Sequence, residues 1–133
     1  MKKIWVNGSF DVLHIGHIRL LEYASNYGNV TVGVDTDERI KEYKGEMRPF
    51  NSLQDRIDFL LSIKYVTSVV SFGTNDELIE RIREYEPDLM VIGDDYAYKP
   101  IIGVEFIPQV IFFPKVGFKS TSKILRYENI SNR

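Results

Sequence analysis

The chain has 133 residues, of which 44% are hydrophobic and 27% charged, and its formal net charge at pH 7 is −2. These values predict one packed domain over residues 1–133, and they exclude both intrinsic disorder and the basic surface of a nucleic-acid-binding protein. The absence of cysteine excludes disulfides and thiol catalysis, and no apolar run reaches membrane-spanning length. We therefore expect a cytoplasmic protein with neither nucleic-acid nor membrane partners.

Strand-like and helix-like segments alternate along the chain. Five short apolar segments are predicted as strands: Lys3–Val6, Val30–Val34, Ser68–Phe72, Leu89–Ile92 and Val110–Phe113. Caps and helical periodicity predict helices from Gly16 to Tyr27, from Thr36 or Asp37 to Tyr43, after Ser52, from Asn75 or Asp76 to Pro87, and from Ser120 or Thr121 to Tyr127. The alternation predicts right-handed crossovers and a parallel sheet, so the fold class is a single doubly wound α/β domain.

Local patterns add detail to this fold. Gly28 is predicted to stop the first helix. The helix after Ser52 has an apolar stripe that is predicted to be buried, formed by Leu53, Ile57, Leu60 and Leu61. A turn or short helix is expected near Ile101–Phe106, and residues 129–133 are expected to form a flexible tail.

The turn Gly8–His17 joins the first strand to the first helix. The helix N-terminus that opens there has unpaired N–H groups and favours an anion, and Gly8 and Gly16 let a ligand approach the backbone. The chain has only two histidines, and both lie in this turn, three residues apart. On a helix that spacing places His14 and His17 on one face, so both imidazoles are predicted to face one bound phosphate.

Three more polar segments follow strands or open helices. They are the loop with Lys44 and Arg48, the pair Asp94 and Asp95 after the fourth strand, and the segment from Lys115 through Ser120, Thr121 and Ser122 to Lys123. Ordinary alternatives exist for each, since loop charges are commonly solvated and acids or hydroxyls often cap turns and helices. Their placement at the carboxyl ends of parallel strands favours a ligand site instead.

These motifs resemble a known family. Gly8-Ser9-Phe10-Asp11 followed by His14-Ile15-Gly16-His17 resembles the HxGH signature of the cytidylyltransferase-like nucleotidyltransferases. Within that superfamily the chain is similar to glycerol-3-phosphate cytidylyltransferase and to the heptose-1-phosphate adenylyltransferase domain, and the resemblance runs from Lys3 to Ile124. It implies a Rossmann-like, five-stranded parallel sheet of order 3-2-1-4-5 flanked by helices.

The resemblance also implies roles for individual residues. Catalytic roles fall to His14, His17 and Lys44. Nucleotide binding falls to Gly8, Ser9, Phe10, Gly16, Asp94, Asp95, Ser120, Thr121 and Ser122. Substrate binding falls to Asp11, Arg48, Arg56 and Lys115. Mg²⁺ is expected as a cofactor carried on the triphosphate, with no metal site in the protein. The chain departs from the family pattern at Glu46, Thr67, Lys119 and Ser122.

The implied activity is nucleotidyl transfer from a nucleoside triphosphate to a phosphorylated small alcohol or sugar, with release of pyrophosphate. Gly93-Asp94-Asp95-Tyr96 resembles the cytidylyl branch, so we expect CTP, with glycerol 3-phosphate as an example of the acceptor. The Lys44–Pro49 loop favours the alternative, ATP with a heptose 1-phosphate. A non-catalytic nucleotide sensor and a relation to class I aminoacyl-tRNA synthetases are further alternatives. Relatives are commonly homodimers, which implies a homodimer here.

Overall fold

The structure, a computed structural model, describes residues 1–93 and 101–113. These residues form a five-stranded parallel sheet of order β3-β2-β1-β4-β5. The strands are β1 (Lys2–Gly8), β2 (Gly28–Asp35), β3 (Ser68–Phe72), β4 (Leu89–Gly93) and β5 (Gln109–Phe113). The helices are α1 (Ile15–Ser25), α2 (Asp37–Lys44), α3 (Leu53–Leu61) and α4 (Asn75–Tyr85), with a short 3₁₀ helix at Val104–Phe106. The predicted doubly wound fold and its strand order are confirmed.

Both faces of the sheet are covered, which explains why its central strands are largely apolar. On one face, Ile4 and Val6 pack with α1 and α3 in a core that includes Leu21 and Leu60. On the other face, Trp5 packs against α4 in a second core, which also contains Phe72, Leu78, Ile82, Met90, Ile92 and Ile107. Successive residues of β1 thus serve opposite cores, as the alternation of strand side chains requires.

The pairing of β1 leaves a crevice in the middle of the sheet. β1 pairs with β2 along its whole length, up to Gly8 opposite Val34. With β4 it pairs only at Ile4 opposite Leu89 and at Trp5 opposite Met90. Beyond those two pairs the carboxyl ends of β1 and β4 separate. This is the point where the strand order reverses, and open α/β sheets bind their ligands there.

The first helix ends earlier than predicted, and Gly28 does not stop it. α1 ends at Ser25, and Asn26 caps it in a right-handed helical conformation. Gly28 instead opens β2 opposite Lys2. A Cβ at Gly28 would lie 2.2 Å from the backbone oxygen of Lys2, so glycine is needed for close strand pairing and not for a helix stop.

The predicted apolar stripe of α3 is partly wrong. Leu60 is buried, and Leu53 and Ile57 pack against the first core, but Leu61 is half exposed. The charged side chain of Arg56 takes a buried place on this helix instead. Ser52 caps α3 as predicted. The predicted last helix and the tail at residues 129–133 lie outside the described residues.

Candidate active site

The two histidines begin helix α1 by capping each other. His14 is the N-cap residue, and its Nδ1 accepts a hydrogen bond from the backbone N–H of Gly16 at 2.9 Å. The Nδ1 of His17 accepts from the backbone N–H of His14 at 3.1 Å. The two rings lie 3.9 Å apart between centroids. The structure therefore brings the imidazoles together as predicted, but His14 precedes the helix and does not share a helical face with His17.

This reciprocal cap fixes which nitrogen of each ring carries a proton. A ring nitrogen that accepts a hydrogen bond from a backbone N–H must present its lone pair. Neutral His14 and His17 therefore carry their proton on Nε2. That tautomer donates hydrogen bonds, and a donor is what a phosphate oxygen requires.

Phe10 shapes the turn that precedes the histidines. Its backbone has a φ of 49°, which is uncommon for a residue with a side chain and often marks a functional turn. The ring is buried and lies 5.2 Å from the His17 ring between centroids. A Cβ at Gly8 would come within 3.2 Å of the Phe10 ring. Gly8 and Phe10 thus hold the turn in place, while their predicted contact with nucleotide remains a prediction.

Asp11 ties this turn to the loop that follows α2. Its side chain is only 1% exposed. One carboxylate oxygen accepts from Arg48 Nε at 3.0 Å and from the Phe50 N–H at 2.9 Å, and the other accepts from the Asn51 N–H at 2.9 Å. Burial alone would raise the pKa of Asp11, but these hydrogen bonds outweigh it and hold the pKa below its usual value.

Arg56 lies beneath the same two segments and is completely buried. Its Nη1 donates to the backbone oxygens of Ser9 at 3.0 Å and Asp35 at 2.7 Å. Its Nε donates to the Asn51 backbone oxygen at 3.0 Å, and its Nη2 lies 2.6 Å from an Asp37 carboxylate oxygen. One guanidinium therefore joins the first turn, the end of β2 and the loop before α3.

Asp11 and Arg56, both predicted to contact the substrate, are buried. Their charged groups are engaged by the protein's own hydrogen-bonding groups. In this geometry they position the residues around the site, and their contact with a substrate remains a prediction. The other two substrate-binding predictions differ, because Arg48 stays 30% exposed and Lys115 lies outside the described residues.

Lys44 and Ser9 meet at the edge of the turn. Lys44 ends α2, and its Nζ donates to the Ser9 hydroxyl at 3.3 Å. The guanidinium of Arg48 stacks 4.8 Å from the Phe50 ring centroid while bound to Asp11. Two cations, one at the end of α2 and one in the loop that follows it, are therefore held beside the turn Gly8–His17, called the histidine turn below.

A third polar group at the strand ends was not predicted as part of the site. Asp35 ends β2 and accepts from Arg39 Nε at 3.2 Å. Burial raises the pKa of Asp35, and the opposing charges of Arg39, Arg56 and Lys44 do not cancel that effect. Arg39 is itself buried, and its Nη2 donates to Asn75 at 2.8 Å. An acid directly after the second strand was the signal in the sequence.

Several predicted site residues cannot be placed. Asp94, Asp95, Ser120, Thr121 and Ser122 lie outside the described residues. Within residues 1–93 and 101–113, no group of three or more His, Asp or Glu side chains could hold a metal ion. Mg²⁺ carried on the triphosphate therefore remains a prediction. In the same part of the chain, no helix is long and apolar enough to cross a membrane.

A doubly wound α/β sheet with a helix N-terminus at its switch point is an arrangement that commonly binds nucleotides. The family follows from sequence comparison, because a model described as cytidylyltransferase-like matches residues 5–124. The chain belongs to this family.

Curated relatives are similar in sequence to most of the chain. A bifunctional protein HldE of Campylobacter fetus is 38% identical over 123 residues, which is 92% of this chain and 27% of the relative. One from Helicobacter hepaticus is 38% identical over 125 residues, which is 93% of this chain and 26% of the relative. The chain thus spans about a quarter of the length of these relatives.

Solved structures share the fold. A lipopolysaccharide core biosynthesis protein from Thermoplasma volcanium superposes with a TM-score of 0.70 at 23% identity, covering 87% of this chain and 98% of that one. A protein of unknown function from Archaeoglobus fulgidus superposes with a TM-score of 0.62 at 15% identity, covering 84% of this chain and 89% of that one. At these identities the likeness concerns the fold alone.

Proposed function

We propose that the chain transfers an adenylyl group from ATP to the phosphate of a sugar 1-phosphate of the heptose type and releases pyrophosphate. The observation that carries this proposal is the 38% identity to HldE proteins over more than nine-tenths of the chain. The Lys44-Gly45 and Arg48-Pro49 pairs add support, since they resemble the heptose-1-phosphate adenylyltransferase domain.

This proposal replaces the expectation of CTP. That expectation rested on Gly93-Asp94-Asp95-Tyr96, of which only Gly93 lies among the described residues. The loop that resembles the adenylyl branch is described, and Asp11 holds it beside the histidine turn. The relatives and the loop both favour adenylyl transfer, so ATP is the better-supported nucleotide.

The chemistry asks the protein mainly for positioning and for charge stabilisation. An oxygen of the acceptor phosphate attacks the α-phosphorus of ATP, and the bond from that phosphorus to the β-phosphate oxygen breaks. The Nε2–H groups of His14 and His17 donate to the α-phosphate oxygens as negative charge grows there. The ammonium of Lys44, held beside Ser9, adds a positive charge at the same place.

Mg²⁺, when bound to the triphosphate, would neutralise part of its charge. Residues 1–93 and 101–113 offer it no cluster of three or more acidic or histidine ligands. Its ligands on this part of the chain would therefore be few, and triphosphate oxygens and water would supply the rest. His14, His17 and Lys44 act on the phosphates themselves.

The test is a matrix of two nucleotides and two acceptors followed by pyrophosphate release. ATP with a heptose 1-phosphate should give a kcat/KM at least ten times that of CTP with glycerol 3-phosphate, and mass spectrometry should detect the ADP-sugar. The reverse order would reject the adenylyl proposal in favour of the cytidylyl alternative. Tight nucleotide binding without turnover of any pair would favour the non-catalytic sensor.

A further inference from the structure

A cavity opens at the carboxyl ends of the central strands, on the face of the sheet that α4 covers, and its lining includes Asn7, which directly precedes the turn Gly8–His17. Its volume is about 110 Å³. A single water needs only about 10–15 Å³ of such volume, so the cavity admits several heavy atoms of a ligand. It is lined at the strand ends by Asn7, Asp35, Phe72 and Ile92, and from above by Ile101 and Ile102. These strand ends are the place where α/β sheets bind ligands.

The lining of this cavity favours a hydroxyl-rich ligand over a phosphate. Most of its walls are apolar, and its polar groups are Asn7, Asp35 and Arg39. The charges of Asp35 and Arg39 are already paired with each other at 3.2 Å, so these two lining groups together carry no net charge to attract an anion. Hydroxyl groups, in contrast, can donate to a carboxylate while carbon atoms pack on the apolar wall.

Asp35 and Asn7 both have hydrogen-bonding capacity left for a ligand. From the described residues, the Asp35 carboxylate accepts one hydrogen bond, from Arg39, on one of its two oxygens. The Asn7 side-chain oxygen accepts from Trp5 Nε1 at 2.9 Å, which leaves its amide N–H groups as donors. One acceptor and one donor therefore border the same small space, a combination that recognises a hydroxyl group.

Shared contacts link the cavity to the histidine turn. Arg56 Nη1 binds the backbone oxygens of both Ser9 and Asp35, so the turn and the end of β2 are neighbours. Lys44, which donates to Ser9, is also close enough to lower the pKa of Asp35 by its charge. A ligand with its phosphate at the turn can thus extend its carbon skeleton into the cavity.

We infer that this cavity binds the hydroxyl-bearing carbon skeleton of the acceptor, with Asp35 accepting a hydrogen bond from one of its hydroxyl groups. The inference rests on the proposed function for the identity of that acceptor. Asp35 then determines acceptor specificity, because a largely enclosed carboxylate oxygen left without its hydroxyl partner discriminates between ligands. On this inference the nucleotide binds at the turn Gly8–His17, outside the cavity.

The first experiment is steady-state kinetics of Asp35→Asn with each substrate varied in turn. Asparagine keeps an oxygen for Arg39 but is a weaker acceptor for a ligand hydroxyl. We expect the acceptor KM to rise at least tenfold and the ATP KM to change less than twofold. Asp88→Asn is the matched control, because Asp88 accepts from the Lys3 N–H at the opposite end of the sheet. Its acceptor KM should match that of the wild type.

Ile102→Trp provides a second variant that keeps all charges and fills the cavity. It should raise the acceptor KM without lowering the melting temperature by more than Asp35→Asn does. An unchanged acceptor KM in both variants would overturn the inference, and so would an ATP KM that rises as much as the acceptor KM. Acceptor analogues that each lack one hydroxyl complete a double-mutant cycle. For one analogue, the KM should be higher than that of the full acceptor in the wild type, and this difference should disappear in Asp35→Asn.

These outcomes are separable from failure of the proposed function. The ratio of ATP to CTP activity in the wild type tests that function alone. If glycerol 3-phosphate proves to be the acceptor, the same variants are tested with it. If no pair turns over, the proposed function fails, and calorimetric titration with the heptose 1-phosphate tests the cavity. Binding that Asp35→Asn weakens tenfold would support the inference, and no binding to the wild type would refute it.

Discussion

Replacing His14 with asparagine should separate two roles of this side chain, the helix cap made by Nδ1 and the proposed hydrogen bond from Nε2 to the α-phosphate. The asparagine oxygen occupies nearly the position of Nδ1, and asparagine is among the best N-cap residues. It can therefore keep the 2.9 Å hydrogen bond from the Gly16 N–H. It has no counterpart of Nε2, so the proposed donor to the α-phosphate is lost. Alanine at the same position removes both groups.

The structure sets the expected magnitudes. Loss of an N-cap acceptor costs about 1 kcal/mol, so His14→Ala should lower the free energy of unfolding by that amount. The melting temperature should fall by roughly 2–8 °C. His14→Asn should stay within a few tenths of a kcal/mol of the wild type. Both variants should lose about 10²–10³ in kcat, by analogy with the loss of one oxyanion donor.

Two measurements on the same samples test this reasoning. Urea unfolding gives the free energies, and pyrophosphate release gives kcat and KM for ATP, which should change far less than kcat. If His14→Asn is as unstable as His14→Ala, the imidazole is not the cap that the geometry indicates. If His14→Asn retains kcat, Nε2 makes no contribution to the transition state.

Four further predictions concern the residues around the site and the assembly of the chain. Arg56→Ala should lower the free energy of unfolding by about 3–5 kcal/mol, because it leaves a buried network without its cation; a loss under 1 kcal/mol in urea unfolding would contradict this. The lowered pKa of Asp11 means that its carboxylate stabilises the fold above about pH 4 and that this contribution is lost as the pH falls through the folded pKa. The stability gap between wild type and Asp11→Asn should therefore close in acid, and a gap independent of pH would refute the assignment. Gly28→Ala should cost about 1–3 kcal/mol through its clash with Lys2, whereas Gly93→Ala should cost far less, because none of the described residues comes within 4 Å of its new Cβ. Light scattering should give twice the chain mass, as expected for a homodimer, and a monomeric mass would reject that expectation.

The sheet and the histidine turn could be predicted because their signals are local. β3 is predicted residue for residue as Ser68–Phe72, Ser52 is predicted as a cap, and Thr36 is one of two candidate caps for α2. Short apolar strands and hydroxyl caps are recognised from a few consecutive residues. The strand order is a non-local property, and it came only from the family resemblance.

The hydrogen-bond partners of Asp11 and Arg56 could not be read from the sequence. A charged residue near a predicted ligand site looks the same whether it faces the ligand or the protein. The outcome depends on which backbone groups are brought within hydrogen-bonding distance, as with Asp11 and the N–H groups of Phe50 and Asn51. The prediction that Gly28 stops the first helix was wrong for the same reason, because its close partner, Lys2, lies on another strand.

The position of Trp5 gives the molecule an intrinsic optical probe. Trp5 is the single tryptophan of the chain, it is fully buried, and its indole N–H is bound to Asn7. Because Asn7 also borders the cavity, a molecule that enters there will disturb that hydrogen bond and change the emission of the indole. A nucleotide confined to the turn will disturb it much less. Acceptor and nucleotide binding can therefore be followed separately by fluorescence, without labels and in the absence of turnover.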